Sequence, residues 1–157
     1  MKINIKKLND NAIIPTRGSE YAAGYDLYAG CADKDALMET NVIKPQGTMK
    51  IHTGLAMEIP KGYFGAIFAR SGMATKRGLR PANCVGVIDS DYRGEILVAL
   101  RNDSDSEQVI DSGERIAQIV IMPYLPIEFN EVDSLEDTER GDDGFGSTGD
   151  RERKYIF

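Results

Sequence analysis

The sequence predicts a single all-β domain built of short strands. Apolar residues recur mostly at every second position in short segments, which is the period of a strand with one buried face. Glycine, proline, aspartate and asparagine separate these segments, and these residues commonly close turns. Strands do not alternate with long helices, and a chain of 157 residues has the length of one domain. The pattern is typical of a jelly-roll β-sandwich or barrel.

Ten strands and one helical stretch follow from this pattern in chain order. The strands are predicted at residues 2–8, 41–43, 48–52, 55–59, 63–69, 85–88, 95–101, 107–110, 115–122 and 127–131. The helical stretch covers residues 71–76, where Ser71 can cap a turn whose first backbone N–H groups face an anion.

The composition limits the classes of partner. A net charge of -6 and a pI near 4.9 disfavour broad binding to nucleic acid or to a membrane surface, since both need a basic surface. An anionic ligand must therefore be held by a few local cations. No apolar run approaches the roughly 20 residues that span a bilayer, and the amino terminus lacks a signal-peptide core. We expect a soluble intracellular protein, cytoplasmic or nuclear, or viral within a host cell.

The two cysteines and the single histidine predict neither a disulfide framework nor a zinc site. Cys31 and Cys84 are far apart and lack the paired spacing of metal ligands, and His52 stands alone. Cysteines of this kind are usually buried structural thiols.

Residues 86–94, with the sequence GVIDSDYRG, combine two carboxylates with an aromatic ring. An apolar strand runs into Asp89 and Asp91, and a second apolar strand starts at Glu95, so the segment predicts a β-hairpin whose turn side chains point outward. A carboxylate at the end of a strand can hold and deprotonate a water, and Tyr92 can offer a flat face to a sugar or base. The alternative is structural, because aspartate in a turn commonly only caps it.

Residues 69–74, with the sequence ARSGMA, carry the donor groups of an anion-binding loop. Arg70 offers a planar fork of donors, Ser71 a hydroxyl and a backbone N–H, and Gly72 lets the main chain approach a ligand closely. The alternative is a solvated loop with a capping serine.

Residues 140–149 contain four glycines and predict a lid that closes when a ligand supplies contacts. Phe145 can stack on a base, while Arg140, Ser147 and Thr148 can donate hydrogen bonds to phosphates. The alternative is a flexible tail, the usual state of a glycine-rich terminus.

Taken in order, five segments of the chain resemble the five motifs of the trimeric dUTPase family. They are AGYDLYA at 23–29, ARSGMATKRGL at 69–79, GVIDSDYRG at 86–94, GERIAQIVIMP at 113–123 and RGDDGFGSTG at 140–149. The resemblance implies a jelly roll, a homotrimer with active sites between subunits, and hydrolysis of dUTP to dUMP and pyrophosphate. That reaction supplies dUMP for thymidylate synthesis and keeps uracil out of DNA. The chain departs from the family pattern at Ala69, where the family usually has proline, at Met73, often leucine, and at Asp143, usually glycine.

The resemblance also implies roles for the polar residues of the motifs. Asp89 is the general base that activates the attacking water, Asp26 holds Mg²⁺ through a water, and Tyr92 packs under the deoxyribose. The residues expected to bind the substrate are Arg70, Ser71, Gly72, Asn83, Val87, Ile88, Tyr92, Leu97, Gln118, Arg140, Phe145, Gly146, Ser147 and Thr148. From the residues alone, Asp26 keeps a structural alternative as a strand-end partner, and Gln118 as a strand residue at a subunit interface.

The resemblance divides the chain into a jelly-roll domain at 1–139 and a C-terminal lid or arm at 140–157. The expected partners are dUTP and further copies of the chain, with no membrane and no direct nucleic-acid binding. Two other classes stay open. A dCTP deaminase shares the fold but should carry a catalytic glutamate and a different hairpin, and a non-catalytic binding protein could use the same scaffold.

Overall fold

The computed structural model describes residues 1–31 and 40–144, and this part of the chain contains twelve strands and one helix. Strands β1 to β12 are, in order, Asn4–Lys7, Thr16–Arg17, Tyr25–Tyr28, Thr40–Ile43, Thr48–His52, Leu55–Glu58, Tyr63–Phe68, Leu79–Pro81, Gly86–Ile88, Leu97–Asn102, Gln108–Asp111 and Arg115–Pro123. Helix α1 is Ser71–Arg77 and lies between β7 and β8 in the sequence.

The strands form four antiparallel sheets. The largest has the order β2-β3-β12-β7-β9, and a second has the order β5-β10-β8. Strands β1 and β6 form a two-stranded sheet, and β4 and β11 form another. The large sheet ends at two edge strands, β2 and β9, so the sheets do not close into a barrel. The all-β prediction is confirmed. Of the two predicted architectures, the β-sandwich agrees with the structure and the closed barrel does not.

Apolar side chains from several sheets meet in one buried cluster. Leu27 and Ile119 come from the five-stranded sheet, and Ile51 and Leu100 come from the three-stranded sheet. Along β10, half-buried and buried residues alternate, which is the period of two that predicted the strand. Burial of one face of each sheet is therefore what the sequence pattern encodes.

Residues 122–144 do not contribute to this core. The chain divides into two compact units, Met1–Pro126 and Ile127–Phe157, and the residues described from Met122 to Gly144 are all exposed. The predicted strand at 127–131 is wrong, because these residues have no strand assignment in the structure. Their alternating apolar residues have the strand period, but a strand also needs a partner to complete its hydrogen bonds.

Helix α1 matches the predicted helical stretch to within one residue. It begins at Ser71 and ends before Gly78, whose φ of 66° closes the last turn and whose N–H donates to the Met73 carbonyl. The N-cap position is Arg70, and no side chain caps the helix, so the expected capping role of Ser71 is wrong. In the described ranges, no helix has the length and apolar character that crossing a membrane requires.

The predicted hairpin at 85–101 is also wrong. Strand β9 pairs with β7 in the five-stranded sheet, whereas β10 pairs with β5 and β8 in the other sheet. Residues 89–96 therefore form a crossover loop between the two sheets. A connection of this length does not impose the local pairing that a two-residue turn imposes.

Three strands were not predicted from the sequence. Strand β2 has only two residues, and β8 ends at Pro81, which has no N–H to donate to a ladder. Strand β3 buries only Leu27 fully, so its alternation is too short to recognise. Strand β3 matters for the site because it carries Asp26.

Candidate active site

A cavity of about 150 Å³ separates β9 from the start of β10, and we call it the strand cleft. Four residues predicted to bind a ligand line it, Asn83, Val87, Ile88 and Leu97, with Ile67, Pro81, Gly86, Val98 and Ala99. Strand β9 pairs only with β7 among the strands described, so its second edge keeps unpaired backbone donors and acceptors. Such groups beside a small cleft can bind the polar edge of a planar ring.

The crossover loop carries Asp89 into a groove next to the strand cleft. The groove has a volume of about 1200 Å³, and Val87 lines both spaces. Asp89 is exposed, and its carboxylate makes no hydrogen bond or ion pair with the rest of the described chain. Its main-chain carbonyl accepts the Tyr92 N–H at 3.2 Å, which forms the turn. The carboxylate is therefore available to bind a water molecule.

The Tyr92 ring folds back over the end of the same loop. Its hydroxyl donates to the Glu95 carbonyl at 2.9 Å. A Cβ atom built on Gly94 would lie 2.5 Å from the Tyr92 hydroxyl oxygen. The ring can therefore take this position only because residue 94 has no side chain. Tyr92 as a whole remains 43% exposed, so part of its surface is accessible to a ligand.

A second cavity, of about 270 Å³, brings together five predicted site residues, and we call it the charged cleft. Its predicted members are Asp26, Arg70, Ser71, Gly72 and Gln118, and it is completed by Gly18, Ala22, Gly24 and Arg115.

Strand pairing explains why residues so far apart in sequence meet in the charged cleft. Strand β12 lies between β3 and β7, and its Gln118 is opposite Asp26 on one side and Phe68 on the other. Phe68 is the last residue of β7, and Arg70 follows it after one residue, Ala69. The Gln118 side-chain amide donates to the Ala69 carbonyl at 2.9 Å, which ties β12 to the loop before α1.

Two arginines surround the Asp26 carboxylate. Arg70 donates from Nε to Oδ1 at 2.8 Å, and the Arg115 Nε lies 3.5 Å from Oδ2. The Asp26 side chain is 13% exposed, whereas the Arg115 side chain is 50% exposed. Because two positive charges face one negative charge, the cleft has an excess of positive charge and favours an anion.

Arg115 was missed by the sequence analysis, and a β-bulge explains why. Regular alternation would place residues three apart, such as Arg115 and Gln118, on opposite faces of a strand. The pairing of β12 with β3 shifts register between Arg115 and Ala117, so both side chains line the same cleft. The only sequence signal was an arginine within the GERIAQI segment.

The charged cleft does not contain a complete metal site. Over residues 1–31 and 40–144, no group of three or more histidine, cysteine, aspartate or glutamate side chains could hold a metal ion. Asp26 is the single carboxylate among the residues that line this cleft, and both of its oxygens face guanidinium groups. A single carboxylate placed in this way can contact a divalent cation through one of the water molecules bound to that cation.

The structure does not bring all predicted site residues into one cavity. The strand cleft and the charged cleft share no lining residue. Arg140 belongs to the second compact unit, where its Nε donates to the Asp143 carbonyl at 2.9 Å. Phe145, Gly146, Ser147 and Thr148 lie outside the described residues.

Comparison with known proteins identifies the family. A family model described as dUTPase matches residues 10–149. The deoxyuridine 5'-triphosphate nucleotidohydrolase of Hydrogenobaculum sp. (strain Y04AAS1) is 46% identical over 149 residues, covering 95% of this chain and 99% of the relative. The protein of the same name from Nautilia profundicola is 50% identical with the same coverage. A mutant dUTPase of Staphylococcus bacteriophage 80alpha, solved with dUpNHpp, has a TM-score of 0.83 and 32% identity, covering 94% of this chain and 98% of that chain.

The fold and these matches define the class of protein as an all-β nucleotide hydrolase. The chain belongs to the dUTPase family. The resemblance of its five motifs is thereby confirmed, and the family match extends across both clefts.

Proposed function

We propose that this protein hydrolyses dUTP to dUMP and pyrophosphate. The observation that carries the proposal is the pair of clefts, one small and lined by unpaired backbone, the other with an excess of positive charge. They match the two ends of a nucleoside triphosphate, a planar base and a polyanion. Membership of the dUTPase family supports uracil as the base and hydrolysis as the reaction.

The strand cleft is proposed to bind uracil. The Asn83 amide and the open backbone edge of β9, at Val87 and Ile88, supply donors and acceptors for the polar edge of the base. Leu97 contributes its main chain from the start of β10. A thymine 5-methyl group would press against β9, where the cleft of about 150 Å³ leaves little room.

Asp89 is proposed as the general base. Its exposed carboxylate can accept a proton from a water while the water oxygen bonds to the α-phosphorus. The bond between the α-phosphorus and the bridging oxygen breaks, and pyrophosphate leaves with that oxygen. No covalent intermediate with the protein is needed.

The charged cleft is proposed to bind the phosphates. Arg70, Ser71, Gly72 and Gln118 would contact phosphate oxygens, as the resemblance implies, and Arg115 joins them because its half-exposed guanidinium lines the same cleft. Asp26 orients Arg70 through the 2.8 Å hydrogen bond, so the arginine fork is held ready for an anion.

Asp26 would also hold Mg²⁺ through a water when the metal arrives with the triphosphate. The ion would supply positive charge that neutralises the phosphate oxygens during hydrolysis.

The complete active site is proposed to form in a homotrimer. The strand cleft and the charged cleft share no lining residue within one chain. One ligand can occupy both kinds of cleft if one subunit supplies the strand cleft and a neighbouring subunit supplies the charged cleft. Apolar surface supports such contacts. A cavity of about 400 Å³ is lined by Met1, Ile3, Ile5, Ile14, Pro15, Tyr25, Met57, Ile119 and Ile121, and of these Met1, Ile14 and Tyr25 are exposed. Ile127 and Phe129 in the second unit are 70% and 89% exposed.

We propose that the chain consists of a jelly-roll domain at residues 1–139 and a lid at residues 140–157 that covers the occupied site. Arg140, Ser147 and Thr148 would contact phosphates, Phe145 would stack on the base, and the glycines, Gly146 among them, would let the segment close. The glycine-rich sequence around one phenylalanine supports this assignment.

Pyrophosphate release, measured with dUTP, dCTP, dTTP and UTP, tests the proposed reaction. We expect pyrophosphate and dUMP from dUTP, with much slower release from the other three. The proposed metal is tested by measuring pyrophosphate release with and without added Mg²⁺, which we expect to be required. The proposed assembly is tested by sedimentation, which should give the mass of a trimer. Release of ammonia from dCTP would instead indicate a deaminase and overturn the proposal.

Replacing Gly24 by alanine tests the role of Gln118. A Cβ at position 24 would lie 2.4 Å from the Gln118 Oε1, so the flexible amide must move while the backbone stays. We expect kcat/KM for dUTP to fall by about tenfold, the effect of losing roughly one hydrogen bond to a charged group. Gly18→Ala is the matched control, since it lies in the same cleft but has no atom within 4 Å of the new Cβ. Equal activity of the two variants would remove Gln118 from phosphate binding.

Replacing Tyr92 by alanine tests how ribose is excluded. The ring is proposed to occupy the space that a 2′-hydroxyl needs, so its removal should raise kcat/KM for UTP relative to dUTP while dCTP stays excluded. Rejection of cytosine depends instead on donors left unpaired in the strand cleft, at a cost of roughly 1 to 3 kcal/mol per buried group. The measurement is kcat/KM for the three triphosphates with both proteins. Equal gains for UTP and dCTP would mean that Tyr92 shapes the whole pocket.

A further inference from the structure

We propose that Glu95 is a positioning residue for Tyr92 and thereby sets the discrimination between deoxyribose and ribose. The inference rests on the proposed contact of Tyr92 with the sugar and adds a residue that no motif role covers. It follows from a chain of contacts that joins the exposed crossover loop to the buried turn between β5 and β6.

The Tyr92 ring has few restraints of its own. Residues 89–94 are exposed apart from half-buried Ser90, so core packing does not hold this part of the loop. The ring is fixed by its hydroxyl, which donates to the Glu95 carbonyl at 2.9 Å, and by the space over Gly94. The position of the ring therefore depends on where residues 94 and 95 lie.

The Glu95 side chain is anchored at both carboxylate oxygens. Oε1 accepts the Gly54 N–H at 2.8 Å, and Oε2 lies 2.9 Å from the His52 Nδ1. The glutamate side chain is only 23% exposed, so both contacts are partly shielded from water. A carboxylate that accepts a backbone N–H and pairs with an imidazole makes stronger hydrogen bonds than a neutral group would.

The anchor point itself cannot shift easily. Gly54 has a φ of 68°, which favours glycine, and a Cβ there would come within 3 Å of Asn9 and Ala12 side-chain atoms. The turn is thus packed closely against the segment after β1. Glu95 connects a tightly packed turn to a loop that lacks such packing.

Glu95 also lies between the exposed loop and the buried, hydrogen-bonded backbone that begins at Ile96. The next residue, Ile96, is fully buried, donates its N–H to the Leu55 carbonyl at 2.8 Å and accepts the Thr53 hydroxyl at 2.7 Å. The preceding residue, Gly94, has the greatest backbone freedom of any residue type. Without the Glu95 carboxylate, the loop would pivot about residues 94 and 95, and the Tyr92 ring would move with it.

The competing explanation is a surface ion pair between Glu95 and His52 with no effect on the site, since such pairs often contribute little. The two explanations differ in one measurable quantity, the ratio of kcat/KM for dUTP to kcat/KM for UTP. An ion pair with only structural effects would change stability or overall activity without changing this ratio.

The experiment is a double-mutant cycle on that ratio with the full-length enzyme, using Glu95→Ala, Tyr92→Ala and the double variant. We expect Glu95→Ala to lower the ratio roughly tenfold, less than the ~100-fold that a misplacement of about 1 Å can cost. In the Tyr92→Ala background, Glu95→Ala should leave the ratio unchanged, because the ring through which it acts is absent.

If Glu95→Ala folds poorly, two milder substitutions can be tested, and each should change the ratio of kcat/KM for dUTP to kcat/KM for UTP by a smaller factor. Glu95→Gln keeps an oxygen for the Gly54 N–H and should retain most of the discrimination. His52→Ala removes one partner of the carboxylate and should lower the ratio by a smaller factor. Glu114→Ala is the matched control, because Glu114 is also a glutamate in an ion pair, with Arg77, and has a similar side-chain exposure of 31%. It should leave the ratio at the wild-type value.

The outcomes separate the inference from the function on which it rests. If Tyr92→Ala alone leaves the ratio unchanged, the proposed sugar contact is wrong, and the role of Glu95 falls with it. If Tyr92→Ala changes the ratio but Glu95→Ala does not, or His52→Ala does not where Glu95→Ala fails to fold, only the inference is wrong. Independent, multiplying effects of Glu95→Ala and Tyr92→Ala would also overturn it.

Discussion

Replacing Asp89 by asparagine is expected to lower kcat for dUTP by roughly 10²- to 10⁴-fold, the usual effect of losing a positioned general base. The amide has the same shape but cannot accept a proton from the attacking water. Asp89 is exposed and its carboxylate has no partner in the part of the chain described, so the substitution should not destabilise the fold. Nucleotide binding should persist, which calorimetry with the analogue dUpNHpp can measure.

Asp91→Asn is the matched control for this variant. Asp91 is a second exposed carboxylate on the same crossover loop and lines the same groove. We expect Asp91→Asn to keep most of its turnover. If Asp89→Asn kept its kcat and Asp91→Asn lost it, the general base would be Asp91.

Ending the chain before Arg140 is expected to lower kcat/KM for dUTP by at least about 10²-fold, because positioning contacts to the substrate are lost. The fold should be unaffected. The described residues from Met122 to Gly144 are all exposed, and the buried apolar core lies within Met1–Pro126. Thermal unfolding and sedimentation should therefore match the full-length protein, while single-turnover hydrolysis slows.

A shorter truncation serves as the control. Ending the chain after Gly149 removes residues 150–157 and keeps the whole glycine-rich motif, so it should retain activity. A protein lacking everything from Arg140 that hydrolysed dUTP at the full rate would refute the lid. A large fall in melting temperature would show instead that the segment stabilises the fold.

Local pattern was enough to locate most of the strands. The strand at 48–52 agrees with β5 at both ends, and β6, β7, β11 and β12 were found to within a residue or two, because one buried face imposes alternation on the sequence itself. The prediction of a strand at 127–131 used the same pattern and is wrong. Alternation reports where apolar residues lie, whereas a strand forms only when another strand is beside it.

The resemblance to the dUTPase motifs, and not residue chemistry alone, singled out the polar residues proposed for the site. Asp26, Arg70 and Gln118 were selected as a polar set from three distant segments, and they line one cavity in the structure. Arg115 was not among the predicted site residues. A β-bulge changes the face of β12 to which its side chain points, and a single sequence carries no reliable signal for a bulge.

The sequence by itself determined the all-β class, most strand positions, the five motifs and their resemblance to the dUTPase family. Tertiary structure alone decided that β9 pairs with β7 and not with β10, which opens the strand cleft and turns residues 89–96 into a crossover between sheets. It also decided that Glu95 meets His52 and Gly54. Propensity and alternation are properties of neighbours along the chain, whereas partner and register depend on packing between segments far apart in sequence.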